Sequence, residues 1–214
     1  MDNLLTFWAT VRNGVWIALI THINSEGGIA DALRCAYSSI PKDDTIAVIL
    51  GDNLFSDTFY IKSNGKAQIY LKQVKDPQRF GVAVYNIIGN PGFGPIEYMP
   101  SMLVEKPKEF VSDMAITGLY VYPYDVFSKI EKLSPSDRGE LEITDINNMY
   151  LAENRLEAFG VEGEWHDAGT PDSLLECSKL VKDGVIIIGE KKWRLIDEIT
   201  HIDHDNNNKP IDKD

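Results

Sequence analysis

The run Thr45-Ile-Ala-Val-Ile-Leu50 constrains the fold of this chain most strongly. A near-continuous apolar stretch closed by Gly51-Asp52-Asn53 reads as a strand buried on both faces, as in a parallel sheet. A parallel strand needs a crossover before it, and the chain supplies one. Val15-Trp-Ile-Ala-Leu-Ile-Thr-His-Ile23 is rich in β-branched and aromatic residues and reads as a strand. Gly27-Gly28 then opens a predicted helix over 29–40, with Ile29, Leu33, Ala36, Tyr37 and Ile40 on one face. Strand, helix, strand in that order predicts an α/β architecture. Further strands are expected at 67–74, 81–88, 98–104, 117–122 and 155–161, and helices at 124–133, 142–153 and 171–182. Thr170 is a good N-cap for the last of these, with Pro171 at its first position.

Composition narrows the function classes. The 214 residues are 43% hydrophobic and 25% charged, the balance of a globular chain long enough to bury a core. No apolar stretch approaches the ~20 residues of a membrane span. Met1-Asp2-Asn3 offers no basic segment of a secretory signal, so a cytoplasmic setting is expected. Cys35 and Cys177 both fall in helical patterns and read as buried free thiols. Acidic residues outnumber basic ones by 33 to 21, a net charge of -12 that argues against nucleic acid or an anionic membrane as a general partner. Phosphates must then be held by local groups or through a Mg²⁺ ion. Residues 205–214 are almost all polar and read as a disordered tail, leaving 1–204 as the domain.

Several side chains stand where chemistry is done. Asp52 follows the apolar strand at its carboxyl end, the edge where open α/β sheets bind ligands, although Gly-Asp-Asn is also ordinary turn chemistry. Asp167 precedes Gly169-Thr170-Pro171 and suits a helix N-terminus as well as a metal. Only the fold can bring these two aspartates together. Glu105-Lys106-Pro107 ends a strand with a residue that cannot donate to the ladder. Ser134-Pro-Ser-Asp-Arg-Gly-Glu-Leu-Glu-Ile-Thr-Asp-Ile-Asn147 crowds one basic and several acidic side chains around a turn glycine, more chemistry than a structural loop requires. Arg138 within it reads as a maker of structural ion pairs. His201-x-x-His204 has no third ligand beside it and reads as part of the tail.

Together, Leu50-Gly-Asp-Asn53, Glu105-Lys-Pro107, Arg138-Gly-Glu-Leu-Glu-Ile-Thr144 and Trp165-His-Asp-Ala-Gly-Thr170 resemble the motifs of the sugar-1-phosphate nucleotidyltransferases, in particular their glucose-1-phosphate thymidylyltransferase branch. The resemblance runs from about residue 13 to about residue 180. It implies a Rossmann-like three-layer α/β fold with a mixed sheet. It implies Mg²⁺ as cofactor, held by Asp52 and Asp167, with Lys106 on the phosphate of the sugar, these three forming the catalytic set. Glu105 and Glu140 are implied to hydrogen-bond the hexose, Gly81 to let the sugar approach the backbone, and Ile116 and Gly118 to wall the sugar side. Asn53 is implied beside the nucleotide, Trp165 in the substrate-binding set, and Gly28 at the thymine. Asn24 stands where the family has a glutamine that reads the base. The implied partners are dTTP and glucose 1-phosphate, or dTDP-glucose, in nucleotide-sugar synthesis of the dTDP-rhamnose kind, and a homo-oligomer.

The family opens with a strand and a Gly-Gly-x-Gly-Thr-Arg-Leu loop that cradles the triphosphate. Residues 1–44 contain only Gly14, Gly27 and Gly28. The expectation is therefore a fold missing its first βαβ portion, with Thr45–Leu50 against an unpaired edge. The enzyme reading is then a nucleotidyltransferase whose turnover by this chain alone is weak or nil. The alternative is a non-catalytic fragment or remnant that retains sugar-phosphate or nucleotide-sugar binding. A metal-dependent glycosyltransferase using Gly-Asp-Asn is a third reading, against which the Glu-Lys-Pro and Arg-Gly-Glu-Leu-Glu-Ile-Thr segments count.

Overall fold

The predicted apolar strand is β2 (Thr45–Leu50), and its neighbours define the molecule. The computed structural model describes residues 15–20, 27–56, 59–89, 95–186 and 193–196. β1 (Val15–Ile20) runs parallel to β2 from Val15 opposite Thr45 to Ile20 opposite Leu50, and α1 (Gly28–Arg34) lies between them in the chain. This corrects the expectation of an unpaired edge, because β1 covers that side of β2 along its whole length.

On its other side β2 pairs antiparallel with β8 (Met114–Pro123). The sheet continues through β5 (Ala67–Gln73), β9 (Leu156–Gly160), β7 (Glu97–Glu105) and β6 (Gly81–Gly89), giving seven strands in the order β1-β2-β8-β5-β9-β7-β6. β5 is parallel to β9 and antiparallel to β8, so the sheet is mixed. β6 also meets β8 at Val82 and Ala115, so β8, β5, β9, β7 and β6 close into a ring. Two ribbons complete the described strands: β3 (Asn53–Phe55) with β10 (Trp165–Asp167), and β4 (Phe59–Lys62) with β11 (Trp193–Ile196).

Period-2 alternation sorts the core into two layers. From β2 and β8, Ile46, Val48, Ile116, Tyr120 and Tyr122 face one side, with α1, α2 (Val126–Ile130) and α3 (Ile143–Ala152) packed there. Ala47, Ala115, Leu119 and Val121 face the other, against Phe59, Tyr70, Phe159 and Trp165. α4 (Pro171–Lys182) packs on β10 from that side. β8 is buried on both faces along nearly its whole length, which explains its apolar sequence despite antiparallel neighbours.

Two helices are shorter than their periodicity predicts. α1 ends at Arg34, and only a one-turn 3₁₀ helix, Tyr37–Ser39, continues it. Ile40 stands before Pro41 and is extended at φ -104°, ψ 127°, as the proline ring demands of its predecessor. α2 begins at Val126 without a side-chain cap, because the Asp125 carboxylate accepts from Arg155 and Tyr150 instead. α4 has the predicted bounds, with Thr170 and Ser173 forming a reciprocal capping box. Cys177 is a buried free thiol, whereas Cys35 is free but exposed, correcting the expectation that both are buried. Asn24, His201 and His204 lie outside the described residues.

Candidate active site

β2 delivers Asp52 to the carboxyl edge of the sheet, and the chain turns directly into β3. β3 is only three residues long and pairs antiparallel with β10, which sets Asn53 opposite Asp167. That register brings the Asp52 and Asp167 carboxylates to one place. The backbone N–H of Ala168 donates to the Asp52 carbonyl at 2.7 Å and tightens the junction. Asp167 Oδ1 accepts from the Gly169 N–H at 2.6 Å, and a Cβ built on Gly169 would lie 2.8 Å from that oxygen and 3.3 Å from Asp52 Oδ2, so any side chain here would crowd both carboxylates.

Two carboxylates converging on Gly169 are a donor set of the kind a hard divalent cation takes. Two carboxylates leave most of an octahedral shell to water and phosphate oxygens, the usual manner of Mg²⁺. Among the described residues no cluster of three or more His, Cys, Asp or Glu forms a denser metal cage. Asp167 Oδ2 faces the Arg79 guanidinium at 3.5 Å, and Arg79 also pairs with Asp76 at 3.1 Å.

The opposite wall comes from the β6–β7 hairpin and the Ser134–Asn147 segment. Gly81 and Glu105 are register partners. Glu105 Oε2 accepts from Thr144 Oγ1 at 2.5 Å, and a Cβ on Gly81 would meet that hydroxyl at 2.9 Å and the carboxylate at 3.1 Å. Gly81 is thus required by this close approach. Burial pushes the Glu105 carboxyl above its usual range, the Thr144 bond and the Lys106 and Arg138 cations pull it down, and Glu142 adds to the rise. Lys106 is exposed at the mouth with φ +39°, a left-handed conformation rare outside glycine, and its N–H donates to the Phe80 carbonyl at 3.0 Å.

Arg138 is the hub of the remaining wall. Its Nη2 lies 2.7 Å from Glu142, 3.3 Å from Glu140 and 3.5 Å from Glu105. Gly28, at φ +79°, packs beneath this segment, since a Cβ there would meet the Leu141 carbonyl at 2.9 Å and Glu140 Cβ at 3.1 Å.

Asp52, Asn53, Gly81, Glu105, Lys106, Ile116, Gly118, Glu140, Trp165 and Asp167 all line this one cleft. Gly28 supports its wall while its neighbour Ile29 lines it. Sequence reasoning missed Thr144, which holds Glu105, Arg79, which faces Asp167, and Gly169, whose N–H bonds Asp167 and whose missing side chain admits both carboxylates. Thr144 and Gly169 stood inside quoted motifs, and Arg79 stood two residues from Gly81. The signal was adjacency, but their partners lie too far along the chain to be read.

One cleft thus gathers two carboxylates, one from the carboxyl end of β2 and one from β10, with a lysine and a half-buried glutamate across from them. The chain belongs to the nucleotidyl transferase family, whose pattern matches residues 7–184. It is 36% identical over 175 residues to the low-salt glycan biosynthesis nucleotidyltransferase Agl11 of Haloferax volcanii, covering 78% of this chain and 46% of that protein. It is 34% identical over 167 residues to the glucose-1-phosphate thymidylyltransferase of Neisseria meningitidis, covering 74% and 54%. The chain thus spans about half the length of these curated relatives. A solved Bacillus anthracis structure named as a glucose-1-phosphate thymidylyltransferase, with sucrose, superposes with a TM-score of 0.62 at 39% identity, over 80% of this chain and 68% of that one. A UDP-glucose pyrophosphorylase complexed with UDP-glucose matches in fold, with a TM-score of 0.64 at 20% identity over 75% and 64%.

Proposed function

We propose that this cleft makes a nucleoside-diphosphate sugar, taking glucose 1-phosphate as acceptor and dTTP as donor to give dTDP-glucose and pyrophosphate. An acceptor phosphate oxygen attacks the donor's α-phosphorus, the α–β phosphoanhydride bond breaks, and pyrophosphate leaves. Such a transfer asks the protein for positioning and charge neutralisation more than for covalent help. Asp52 and Asp167 are the proposed Mg²⁺ ligands, and Mg²⁺ when bound neutralises phosphate oxygens. Lys106 meets the acceptor phosphate as a point charge. Glu105, held by Thr144, and Glu140 accept from sugar hydroxyls. Asn24 and Gly28 are the proposed base-side residues.

The observation that carries this reading is the register that sets Asn53 opposite Asp167, because it assembles the two carboxylates on the cleft that also holds Lys106 and Glu105. The matches to proteins named glucose-1-phosphate thymidylyltransferase support the choice of base and hexose. The test is calorimetry of glucose 1-phosphate and dTDP-glucose with Mg²⁺, run beside pyrophosphate release from dTTP and glucose 1-phosphate. Lys106→Met should weaken glucose 1-phosphate binding and leave the melting temperature unchanged. Turnover by this chain alone should be weak or nil, so binding is the decisive arm: absence of both binding and pyrophosphate release would overturn the reading, and the alternative is a chain that only binds nucleotide sugar or sugar phosphate. A homo-oligomer is part of the proposal, supported by the exposed apolar side chains Ile87, Ile88 and Met99 on the β6–β7 hairpin, and sedimentation checks it. No helix among the described residues is long and apolar enough to cross a membrane.

A further inference from the structure

Lys72, near the end of β5, is half-buried and sends its ammonium to the carbonyls of three consecutive residues. Nζ donates to Val161 at 3.1 Å, to Glu162 at 3.3 Å and to Gly163 at 2.6 Å. The three acceptors match the three N–H groups of an ammonium. Residues 161–164 are the whole connection from β9 to β10. Its start is held by the buried Val161, whose N–H donates to the Leu71 carbonyl at 2.9 Å. Its end is held by Ser56, whose N–H donates to the Glu164 carbonyl at 3.0 Å and whose hydroxyl accepts from the Glu164 N–H at 2.6 Å. The ammonium gathers the carbonyls between these two anchors.

We propose that Lys72 is a positioning residue, a built-in cation that fixes the path of the β9–β10 connection and so sets the register in which β10 meets β3. That register needs help from outside. β10 and β3 pair at three positions only, and so short a ladder holds its register weakly by itself. Trp165 and Asp167 line the cleft and His166 does not. A slip of one residue would exchange those faces, because alternate residues of a strand point to opposite sides. Without the ammonium, three carbonyl oxygens would converge on one point with no donor between them, and the connection would open to reach water. Lys72 therefore acts on the cleft through β10, and it stands outside all four motifs.

The consequence for ligands rests on the proposed function, whereas the register does not, and the experiment reads the two separately. The Trp165 indole N–H, bonded to Asn53 Oδ1 at 2.6 Å, reports on β10 by nuclear magnetic resonance without any ligand, its signal identified by its loss in Trp165→Phe. Lys72→Met removes the ammonium and keeps the stem. Its Trp165 signal should shift or broaden, and exchange of that indole proton with water should speed about tenfold or more. A lysine that only adds stability would lower the melting temperature and leave the native signal in place. Lys72→Ala empties the space beside the carbonyls, so ammonium chloride should restore the wild-type signal and tetramethylammonium chloride at equal ionic strength should not. dTDP-glucose binding with Mg²⁺ should weaken about tenfold in Lys72→Met and recover with ammonium in Lys72→Ala. An unmoved Trp165 signal, a response of Lys72→Ala that is the same in both salts, or failure of both variants to fold would each overturn the positioning role. So would unchanged dTDP-glucose binding in Lys72→Met. If the signal behaves as expected but wild type binds no dTDP-glucose, the proposed function fails and the role of Lys72 in placing β10 stands.

Discussion

At the scale of single residues, the site keeps conformations that a purely stable protein would discard. Lys106 holds φ +39° at the end of β7. A non-glycine residue there carries a strain of about 1 kcal/mol or more, tolerated where the side chain has a task. Lys106→Gly should therefore raise unfolding free energy by about 1 kcal/mol in urea titration while glucose 1-phosphate binding falls, whereas Lys106→Met lowers binding and keeps the strain. Gly169 is the converse case, a residue defined by what it lacks. Gly169→Ala would force the Asp167 and Asp52 oxygens away from a methyl group placed 2.8 Å and 3.3 Å from them respectively, and Mn²⁺ affinity should drop at least tenfold with the fold retained. Arg79 competes for the same charge. Arg79→Met removes the guanidinium 3.5 Å from Asp167, and Mn²⁺ binding should strengthen a few-fold at low salt and less at high salt, since Arg79 is 41% exposed and screened.

At the scale of elements, the helix side of the sheet is joined to β9 by one polar cluster. Asp125 at the start of α2 accepts from Arg155 Nη1 at 2.7 Å and from the Tyr150 hydroxyl at 2.7 Å, and Arg155 donates to the Gly65 carbonyl at 2.7 Å. Lys129 on α2 pairs with Glu153 at the end of α3 and lies over the Tyr150 ring at 4.4 Å. Burial pushes the Asp125 carboxyl up, but its bonds from Arg155 and Tyr150 outweigh that and leave it below its ordinary value near 3.8. A lowered folded-state value means that the ionised form stabilises the fold above the unfolded value, and that this contribution is lost as pH falls through the folded value. Asp125→Asn should cost about 1 kcal/mol near neutral pH, a modest figure because the pair is partly exposed. The gap between the variant and wild type should narrow below about pH 4 in acid titrations followed by circular dichroism.

At the scale of the whole molecule, one wall of the cleft joins residues 52 and 167 and the other comes from the chain between them, so a ligand that bridges the walls should stabilise the whole of that span. dTDP-glucose with Mg²⁺ at about one hundred times its dissociation constant adds roughly 2.7 kcal/mol by mass action. For a chain of this size that corresponds to a rise in melting temperature of about 5–10 °C. Glucose without phosphate should give almost none of it. A shift that survives Asp52→Ala and Lys106→Met together would place the ligand elsewhere.

The sequence by itself determined the elements whose patterns are long enough to repeat. Thr45–Leu50 had to be a doubly buried strand, and Thr170-Pro171 had to start the helix that ends at Lys182. The four motifs also named most of the cleft, since chemistry-bearing residue types at element ends are legible without coordinates. What only the tertiary structure decided is pairing between distant segments. β3 and β10 are three residues each, too short for any periodicity, yet Asn53 meets Trp165 across 112 positions and that meeting builds the site. β1 taking the edge of β2, Thr144 holding Glu105 and Arg79 facing Asp167 belong to the same class. Local pattern specifies which face of an element seeks burial. Which partner covers it depends on shared burial weighed against the entropy of closing the intervening chain, a balance taken over the whole molecule.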